Sequence, residues 1–176
     1  MRIIDTETGE PVPAGEQGII ELRGPNLMRG ICGRLRESVF TRDGYYSTGD
    51  LGTLDADGYL FYAGRADDMF KVSGATVYPS EVEASLRSID FVRQAYVTNV
   101  EGPGGGDVVG AVVLLLGEHS LSELDQAARQ QMSSFKVPRT WVLAATPDEV
   151  PMLASGKVDK AGLQTLIATH GLACSD

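Results

Sequence analysis

Three short segments of the sequence carry residue types that bind or stabilise a negatively charged phosphate ester. They are 46–51 (YSTGDL), 64–74 (GRADDMFKVSG) and 155–157 (SGK). A carboxylate such as Asp50 accepts hydrogen bonds from sugar hydroxyls, and a lysine such as Lys157 stabilises charge that develops on phosphoryl oxygens. Each segment alone is typical of a solvated loop, because charged loop residues are normally exposed. Their occurrence together, in this order, indicates a shared chemical role.

The composition limits the classes of protein to consider. The 176 residues are 43% hydrophobic, which suffices for one medium domain or two small ones, and the formal net charge is −9. An acidic surface argues against nonspecific binding to nucleic acid or to an anionic membrane. The two cysteines, Cys32 and Cys174, lack metal-binding or disulfide-framework spacing, and the apolar run 108–116 is too short to span a bilayer. We therefore expect a cytoplasmic protein with no transmembrane segment, no nucleic-acid partner and no metal site in these residues.

The pattern of turns and apolar residues predicts two regions of different class. Residues 1–65 alternate short apolar strands with turns, and 55–58 (DADG) joins two of them as a β-hairpin. Residues 66–68 (ADD) are charged and without periodicity, as expected of a hinge. Residues 69–176 are predicted to run from short strands through helix, strand, strand, helix and strand to a loop and a last helix. The predicted fold class is α+β: an all-β segment, then a small domain with a central mixed sheet flanked by about three helices.

Local signals place the helices of the second region. Pro79 suits the first turn of a helix, Ser120 and Glu123 form a capping box, and Asp159 is suited to cap the last helix. The glycine run 102–106 lacks a following Lys-Ser/Thr and a helix. We therefore interpret it as a hairpin connection and not as a phosphate loop.

Together and in order, the three segments resemble the motifs of the adenylate-forming superfamily, which includes acyl-CoA synthetases, aryl-CoA ligases, firefly luciferase and the adenylation domains of peptide synthetases. Residues 18–30 (GIIELRGPNLMRG) also resemble the strand and turn that precede the Thr-Gly-Asp motif in that family. The resemblance therefore covers nearly the whole chain. It implies that residues 1–65 are the terminal β portion of a large N-terminal adenylation domain and that 69–176 are the mobile C-terminal domain.

The resemblance implies nucleotide-binding roles for four residues of the first region. Asp50 would accept hydrogen bonds from the ribose hydroxyls, and Arg65 would present its fork of donors to the ribose or the α-phosphate. Tyr62 would line the nucleotide site, and Thr48 belongs to the same Thr-Gly-Asp motif.

The resemblance also assigns a role in adenylation to Lys157, which would meet the α-phosphate and the carboxylate oxygen. Ser155 and Gly156 would keep its loop mobile and uncrowded. Asp67 matches the position of the family's hinge, about which the C-terminal domain rotates between the half-reactions. A metal-binding role for Asp67 and Asp68 is the alternative, but adjacent carboxylates on an extended segment point apart.

Rotation would replace Lys157 with the segment from Lys71 to Gly74. Lys71 matches a lysine linked to the thioester-forming step, and Gly74 would let the backbone lie close to the pantetheine thiol. The implied ligands are ATP or AMP, Mg²⁺ held mainly by the missing N-terminal domain, a small carboxylic acid, and coenzyme A as acceptor.

Two local departures and one large one separate this sequence from the family pattern. Ile31 stands where an aromatic residue is frequent, and Leu153 stands where a threonine is frequent. Nothing in the chain resembles the family's phosphate loop or its adenine and acyl pockets. We therefore expect the N-terminal domain to be an intramolecular partner and the chain alone to lack ligase activity.

The function that this resemblance favours is that of an ATP-dependent carboxylic acid–CoA ligase, a fatty-acyl-CoA synthetase. Residues 72–74 (VSG) and 79–83 (PSEVE) are closer to fatty-acid and aryl-acid CoA ligases than to peptide-synthetase domains. Two alternatives stay open. One is a fatty acyl-AMP ligase that passes the acyl group to a carrier protein, and the other is a noncatalytic nucleotide-binding or interaction module.

Overall fold

The computed structural model describes residues 1–173 and shows two compact units, Met1–Asp68 and the part of the chain from Met69 onward. The boundary coincides with the end of the predicted hinge, 66–68. The assignment of the two units to a large adenylation domain and a mobile small domain stays a prediction. Cys174 lies outside the described residues.

The first unit is built on a four-stranded antiparallel sheet in the order β1-β2-β3-β4. The strands are β1 (Arg2–Ile4), β2 (Gln17–Leu22), β3 (Tyr46–Leu54) and β4 (Leu60–Arg65). The long connection between β2 and β3 contains a 3₁₀ turn at Arg36–Ser38. Apart from that turn, the described elements of this unit are strands, so the all-β prediction is confirmed.

The hairpin between β3 and β4 sets the register of the candidate nucleotide-binding residues. The Asp55 carboxylate accepts hydrogen bonds from the backbone N–H groups of Asp57 (3.0 Å) and Tyr59 (2.8 Å), which closes the predicted turn. The ladder that follows pairs Asp50 with Arg65 at its far end, after a register shift between Leu51 and Gly52. The turn chemistry therefore brings two residues fifteen positions apart into cross-strand contact.

The second unit is α+β, with three helices and a four-stranded mixed sheet in the order β10-β9-β8-β7 among its described residues. Its α-helices and strands are β5 (Phe70–Val72), β6 (Ala75–Val77), α1 (Pro79–Arg87), β7 (Val92–Glu101), β8 (Asp107–Leu115), α2 (Leu121–Gln131), β9 (Thr140–Ala144), α3 (Lys160–His170) and β10 (Leu172–Ala173), with a 3₁₀ turn at Pro147–Glu149. Strand β8 is antiparallel to β7 and parallel to β9, and β5 and β6 form a separate ribbon. The predicted fold class is confirmed, and the glycine run connects β7 to β8 as a hairpin, with Gly102 N–H donating to the Gly106 carbonyl at 2.9 Å.

The core lies on both faces of the mixed sheet, and β8 contributes to both. Val113 packs into the cluster formed with α1 and α2, whereas Val112 packs into the cluster formed with α3. Both side chains are fully buried. A strand covered on both faces needs a continuous apolar run, which explains the composition of 108–116. In the part of the chain that the structure describes, no helix is both long and apolar enough for a membrane span.

The predicted helix caps are present. Pro79 is the first residue of α1, and the Ser120–Glu123 pair forms a capping box at α2. The Asp159 carboxylate accepts a 3.2 Å hydrogen bond from the Gly162 N–H at the start of α3.

Side chains from two helices cover the outer edge of β7. Glu83 on α1 accepts a hydrogen bond from the Val97 N–H at 3.1 Å, and Gln164 on α3 donates to the Asn99 carbonyl at 3.2 Å. These bonds satisfy backbone groups that an edge strand would otherwise present to another chain.

Candidate functional site

Asp50 and Arg65 face each other at the end of the β3–β4 ladder. Nη1 of Arg65 lies 3.3 Å from Oδ1 of Asp50, and the two side chains are 44% and 33% exposed. Gly49, with φ at 74°, allows this packing, since a Cβ there would lie 3.1 Å from Nη2 of Arg65. The partly exposed carboxylate keeps lone pairs for further donors such as sugar hydroxyls.

Thr48 holds the backbone beneath Asp50. Its hydroxyl donates a 2.9 Å hydrogen bond to the Ile20 carbonyl on β2 and accepts a 3.0 Å bond from the Asp50 N–H. Because the hydroxyl proton is already donated to Ile20, we expect Thr48 to position Asp50 and not to donate to a nucleotide itself.

Arg65 also forms an ion pair with Asp67, a contact that the sequence analysis did not predict. Nε of Arg65 donates to Oδ1 of Asp67 at 2.8 Å and Nη2 donates to Oδ2 at 3.2 Å, so the pair is bidentate. The Asp67 carboxylate raises the pKa of the Arg65 guanidinium. Residues 65–68 form a turn that is closed by a 3.3 Å hydrogen bond from the Asp68 N–H to the Arg65 carbonyl.

That turn corrects the geometry assumed for the two adjacent acids. The sequence analysis placed Asp67 and Asp68 on an extended segment, whereas they lie in a turn that folds Asp67 back onto Arg65. Residue types and spacing alone do not predict this pair, because Asp67 and Asp68 are both near Arg65 in sequence and only the turn selects Asp67. Across residues 1–173, no group of three or more His, Cys, Asp or Glu side chains is arranged to hold a metal ion.

Tyr62 lies on β4 in the same charged surroundings and is 60% exposed. Partial burial raises the pKa of its phenol, and the negative charge of Asp50 raises it further. The phenol therefore shares the electrostatic environment of Asp50, as a residue lining the same site would.

The Lys71–Gly74 segment forms the β5–β6 hairpin. Its two turn residues both have positive φ, 50° at Ser73 and 85° at Gly74, as a two-residue type I′ turn requires. A Cβ at Gly74 would meet nothing within 4 Å, so the requirement for glycine here is conformational. Lys71 is exposed and its Nζ donates to Oγ1 of Thr76, its cross-strand partner.

Lys157 ends a tight turn that precedes α3. The Gly156 N–H donates to the Leu153 carbonyl at 2.9 Å, and the Leu153 N–H donates to the Lys157 carbonyl at 2.7 Å. Gly156 has φ at 79°, which is the left-handed position of a three-residue hairpin loop. The loop expected to be mobile and uncrowded contains a hydrogen-bonded turn that presents an exposed lysine, and a Cβ at Gly156 would meet nothing within 4 Å.

The predicted residues thus occur at three places. Four of them lie on β3 and β4; they are Thr48, Asp50, Tyr62 and Arg65. Asp67, the predicted hinge residue, lies in the turn that follows and contacts Arg65. Lys71 and Gly74 share the β5–β6 ribbon, and Lys157 lies on its own turn in the second unit.

Comparison with known proteins supports the family resemblance of the sequence motifs. Residues 81–157 match the family described as the AMP-binding enzyme C-terminal domain. The chain is 36% identical to a feruloyl-CoA synthase from Amycolatopsis over 87% of its length, which is 31% of that protein. It is 33% identical to a long-chain-fatty-acid–CoA ligase from Bacillus subtilis over 89% of its length, which is 28% of that protein.

A solved structure agrees with the sequence matches. The chain superposes on the o-succinylbenzoate CoA synthetase of Bacillus subtilis in complex with its acyl-adenylate intermediate, with a TM-score of 0.78, 30% identity, and coverage of 94% of this chain and 33% of that one. The fold and the matched residues define an AMP-binding enzyme C-terminal domain that follows a β-sheet unit. The chain belongs to the adenylate-forming superfamily, as its motifs predicted, and it spans about one third of the length of these relatives.

Proposed function

We propose that this chain is the C-terminal portion of an AMP-forming carboxylic acid–CoA ligase. Such an enzyme joins a carboxylate to ATP, releases pyrophosphate, and passes the acyl group from AMP to the thiol of coenzyme A. The observation that supports this most directly is the cross-strand pair of Asp50 and Arg65, held over Thr48 and Gly49 in a chain whose relatives include CoA ligases.

The first unit supplies contacts to the nucleotide. Asp50 accepts hydrogen bonds from the ribose hydroxyls, because a partly exposed carboxylate with one weak partner retains acceptor capacity. Arg65 adds donors beside it, and Tyr62 contributes an amphipathic ring whose apolar face can lie against the nucleoside.

Lys157 serves the adenylation step. A carboxylate oxygen of the acid attacks the α-phosphorus of ATP while the bond to the pyrophosphate oxygen breaks. Negative charge increases on the oxygens around phosphorus, and an ammonium group placed there stabilises the transition state more than the ground state. The turn that carries Lys157 sets its backbone, and its four-carbon stem supplies the reach.

The Lys71–Gly74 segment serves the thioester-forming step, in which the thiolate of coenzyme A attacks the acyl carbonyl and AMP leaves. The β5–β6 turn exposes its backbone at Gly74, which gives a pantetheine arm room to approach. Residues 66–68 are the proposed hinge between the half-reactions, with Asp67 at its centre.

The acid is proposed to be a fatty acid, and aryl acids are the alternative. Both classes are represented by the names of the relatives, a long-chain-fatty-acid–CoA ligase and a feruloyl-CoA synthase. An N-terminal domain with the acyl pocket and the Mg²⁺ site is the proposed intramolecular partner, and the cytoplasm is the proposed location.

The test is a comparison of half-reactions in the full-length protein with Lys157→Ala. We expect pyrophosphate release from ATP and a panel of fatty and aryl acids to be lost, with thioester formation from preformed acyl-AMP retained. Lys160→Ala, an exposed lysine three residues away, is the matched control and should keep both activities. Undiminished pyrophosphate release by Lys157→Ala would contradict the assignment.

The acceptor is tested separately. With preformed acyl-AMP, the full-length protein should acylate coenzyme A and not a phosphopantetheinylated carrier protein. Transfer to the carrier protein alone would instead identify an acyl-AMP ligase.

A further inference from the structure

The fork of Arg65 is already occupied before any nucleotide binds. Arginine recognises phosphate through two parallel N–H donors, and the Nε–Nη2 edge of Arg65 is one of the two edges with that geometry. In this structure both donors of that edge bond to Asp67, at 2.8 and 3.2 Å.

The charges around Arg65 also oppose a phosphate. Its guanidinium faces the carboxylate of Asp50 at 3.3 Å and that of Asp67, and the charge of Asp68 acts on it as well. One positive charge is therefore surrounded by three negative ones. Such a cluster repels a phosphate dianion. It does not repel a neutral hydroxyl, which can accept a hydrogen bond from an N–H group and donate one to a carboxylate.

We propose that Asp67 determines what Arg65 binds. It covers the phosphate-matching edge of the guanidinium, so that Arg65 and Asp50 together recognise uncharged sugar hydroxyls and phosphoryl groups are kept off Arg65. The inference rests on the proposed function, because it assumes that this pair meets the nucleotide.

The turn at 65–68 makes this screening dependent on local backbone conformation. Asp67 reaches back to Arg65 because the Asp68 N–H bonds to the Arg65 carbonyl and the Ala66 N–H bonds to the Gly49 carbonyl at 2.8 Å. A change in the dihedral angles of 66–68 withdraws the Asp67 carboxylate and uncovers the fork. The proposed hinge and the nucleotide-binding arginine are thereby coupled through one ion pair.

The experiment compares adenosine with AMP as probes of the chain, by NMR titration of the labelled protein with the Arg65 Nε–H resonance as a local reporter. The wild-type chain should bind the two with similar affinity. Asp67→Ala should increase the affinity for AMP by about two- to fivefold, the range expected for one exposed ion pair, and leave the affinity for adenosine unchanged. Asp68→Ala removes the same charge one residue further on, without uncovering the fork, and should change the AMP-to-adenosine ratio less.

Each other outcome has a distinct meaning. Equal tightening of AMP by Asp67→Ala and Asp68→Ala would show a simple net-charge effect and overturn the proposal. If Asp67→Ala binds both probes more weakly, Asp67 supports the position of Arg65. If the wild-type chain strongly prefers AMP and Arg65→Ala removes that preference, Arg65 is a phosphate ligand. Either result overturns the screening role and leaves the proposed function standing. Binding that Arg65→Ala does not change, or no binding by any variant, would overturn the nucleotide site and this inference together.

Discussion

Leu153 and Lys157 are joined across a tight turn, with the Leu153 N–H donating a 2.7 Å hydrogen bond to the Lys157 carbonyl. Leu153 is therefore the direct partner of the candidate lysine across the turn. Leu153 contributes to the turn through its backbone, and its side chain is 49% exposed.

Gly156→Ala should destabilise this turn. Residue 156 has φ at 79°, and the left-handed conformation costs a non-glycine residue about 1–2 kcal/mol. We expect the free energy of unfolding of the second unit, measured with denaturant, to fall by about that amount. Gly104→Ala is the control, since neither glycine has atoms within 4 Å of a Cβ and Gly104 lacks a positive φ. Equal effects of the two substitutions would show that the Gly156 conformation is not responsible.

Thr48→Val should loosen the backbone beneath Asp50. The substitution leaves the Asp50 N–H and the Ile20 carbonyl without the hydroxyl that joins them, which should cost about 1–2 kcal/mol. AMP binding by the chain, followed by NMR, should weaken in parallel because Asp50 is less well positioned. Thr53→Val, on the same strand, should change neither quantity. Full AMP affinity in Thr48→Val would separate Thr48 from the nucleotide site.

Glu83 should make stability depend on pH in an unusual direction for a carboxyl group. Burial raises its pKa, although it accepts a hydrogen bond from the Val97 N–H. The folded state therefore binds the proton more tightly than the unfolded state. The contribution is fully present below the ordinary glutamate pKa and is lost as pH rises through the raised one.

Glu83→Gln should accordingly be at least as stable as the wild-type chain at pH 7, since the amide oxygen still accepts from Val97 and a partly buried charge, 3.7 Å from Arg87, is removed at a site where desolvation is the larger effect. The advantage should shrink as the pH is lowered to 4. Denaturant unfolding across this range measures it, and Glu101→Gln, at an exposed position of β7, should show no such trend. The measured quantity is the difference in unfolding free energy between Glu83→Gln and wild type. If Glu83→Gln loses stability relative to wild type as the pH rises from acid to neutral, the proposed cost of the Glu83 charge is contradicted.

Lys71→Ala should slow thioester formation in the full-length protein and leave adenylation intact. Loss of one charge-assisted hydrogen bond in a transition state corresponds to about a 10- to 100-fold reduction in rate. Thr76→Val removes only the partner that holds Nζ in the free chain, and it should have a much smaller effect. The measurement is acyl transfer from preformed acyl-AMP to coenzyme A. Comparable losses in both half-reactions would point to a structural defect in the β5–β6 ribbon.

Local chemistry explains why much of this protein was predictable from sequence. Some features act through neighbours within a few residues: the DADG turn, the Ser120–Glu123 capping box and Pro79. The local structure that they form therefore depends on residues close in sequence. The apolar run of β8 likewise signals a strand buried on both faces. The motif order was sufficient to place the chain in its superfamily.

The tertiary structure alone decided which polar groups compete for the same partner. The sequence presents Arg65, Asp67 and Asp68 as a solvated run, and only the turn at 65–68 and the ladder to Asp50 direct the arginine fork to two particular acids. Such pairing depends on angles and distances of a few ångströms, which residue types and spacing do not specify.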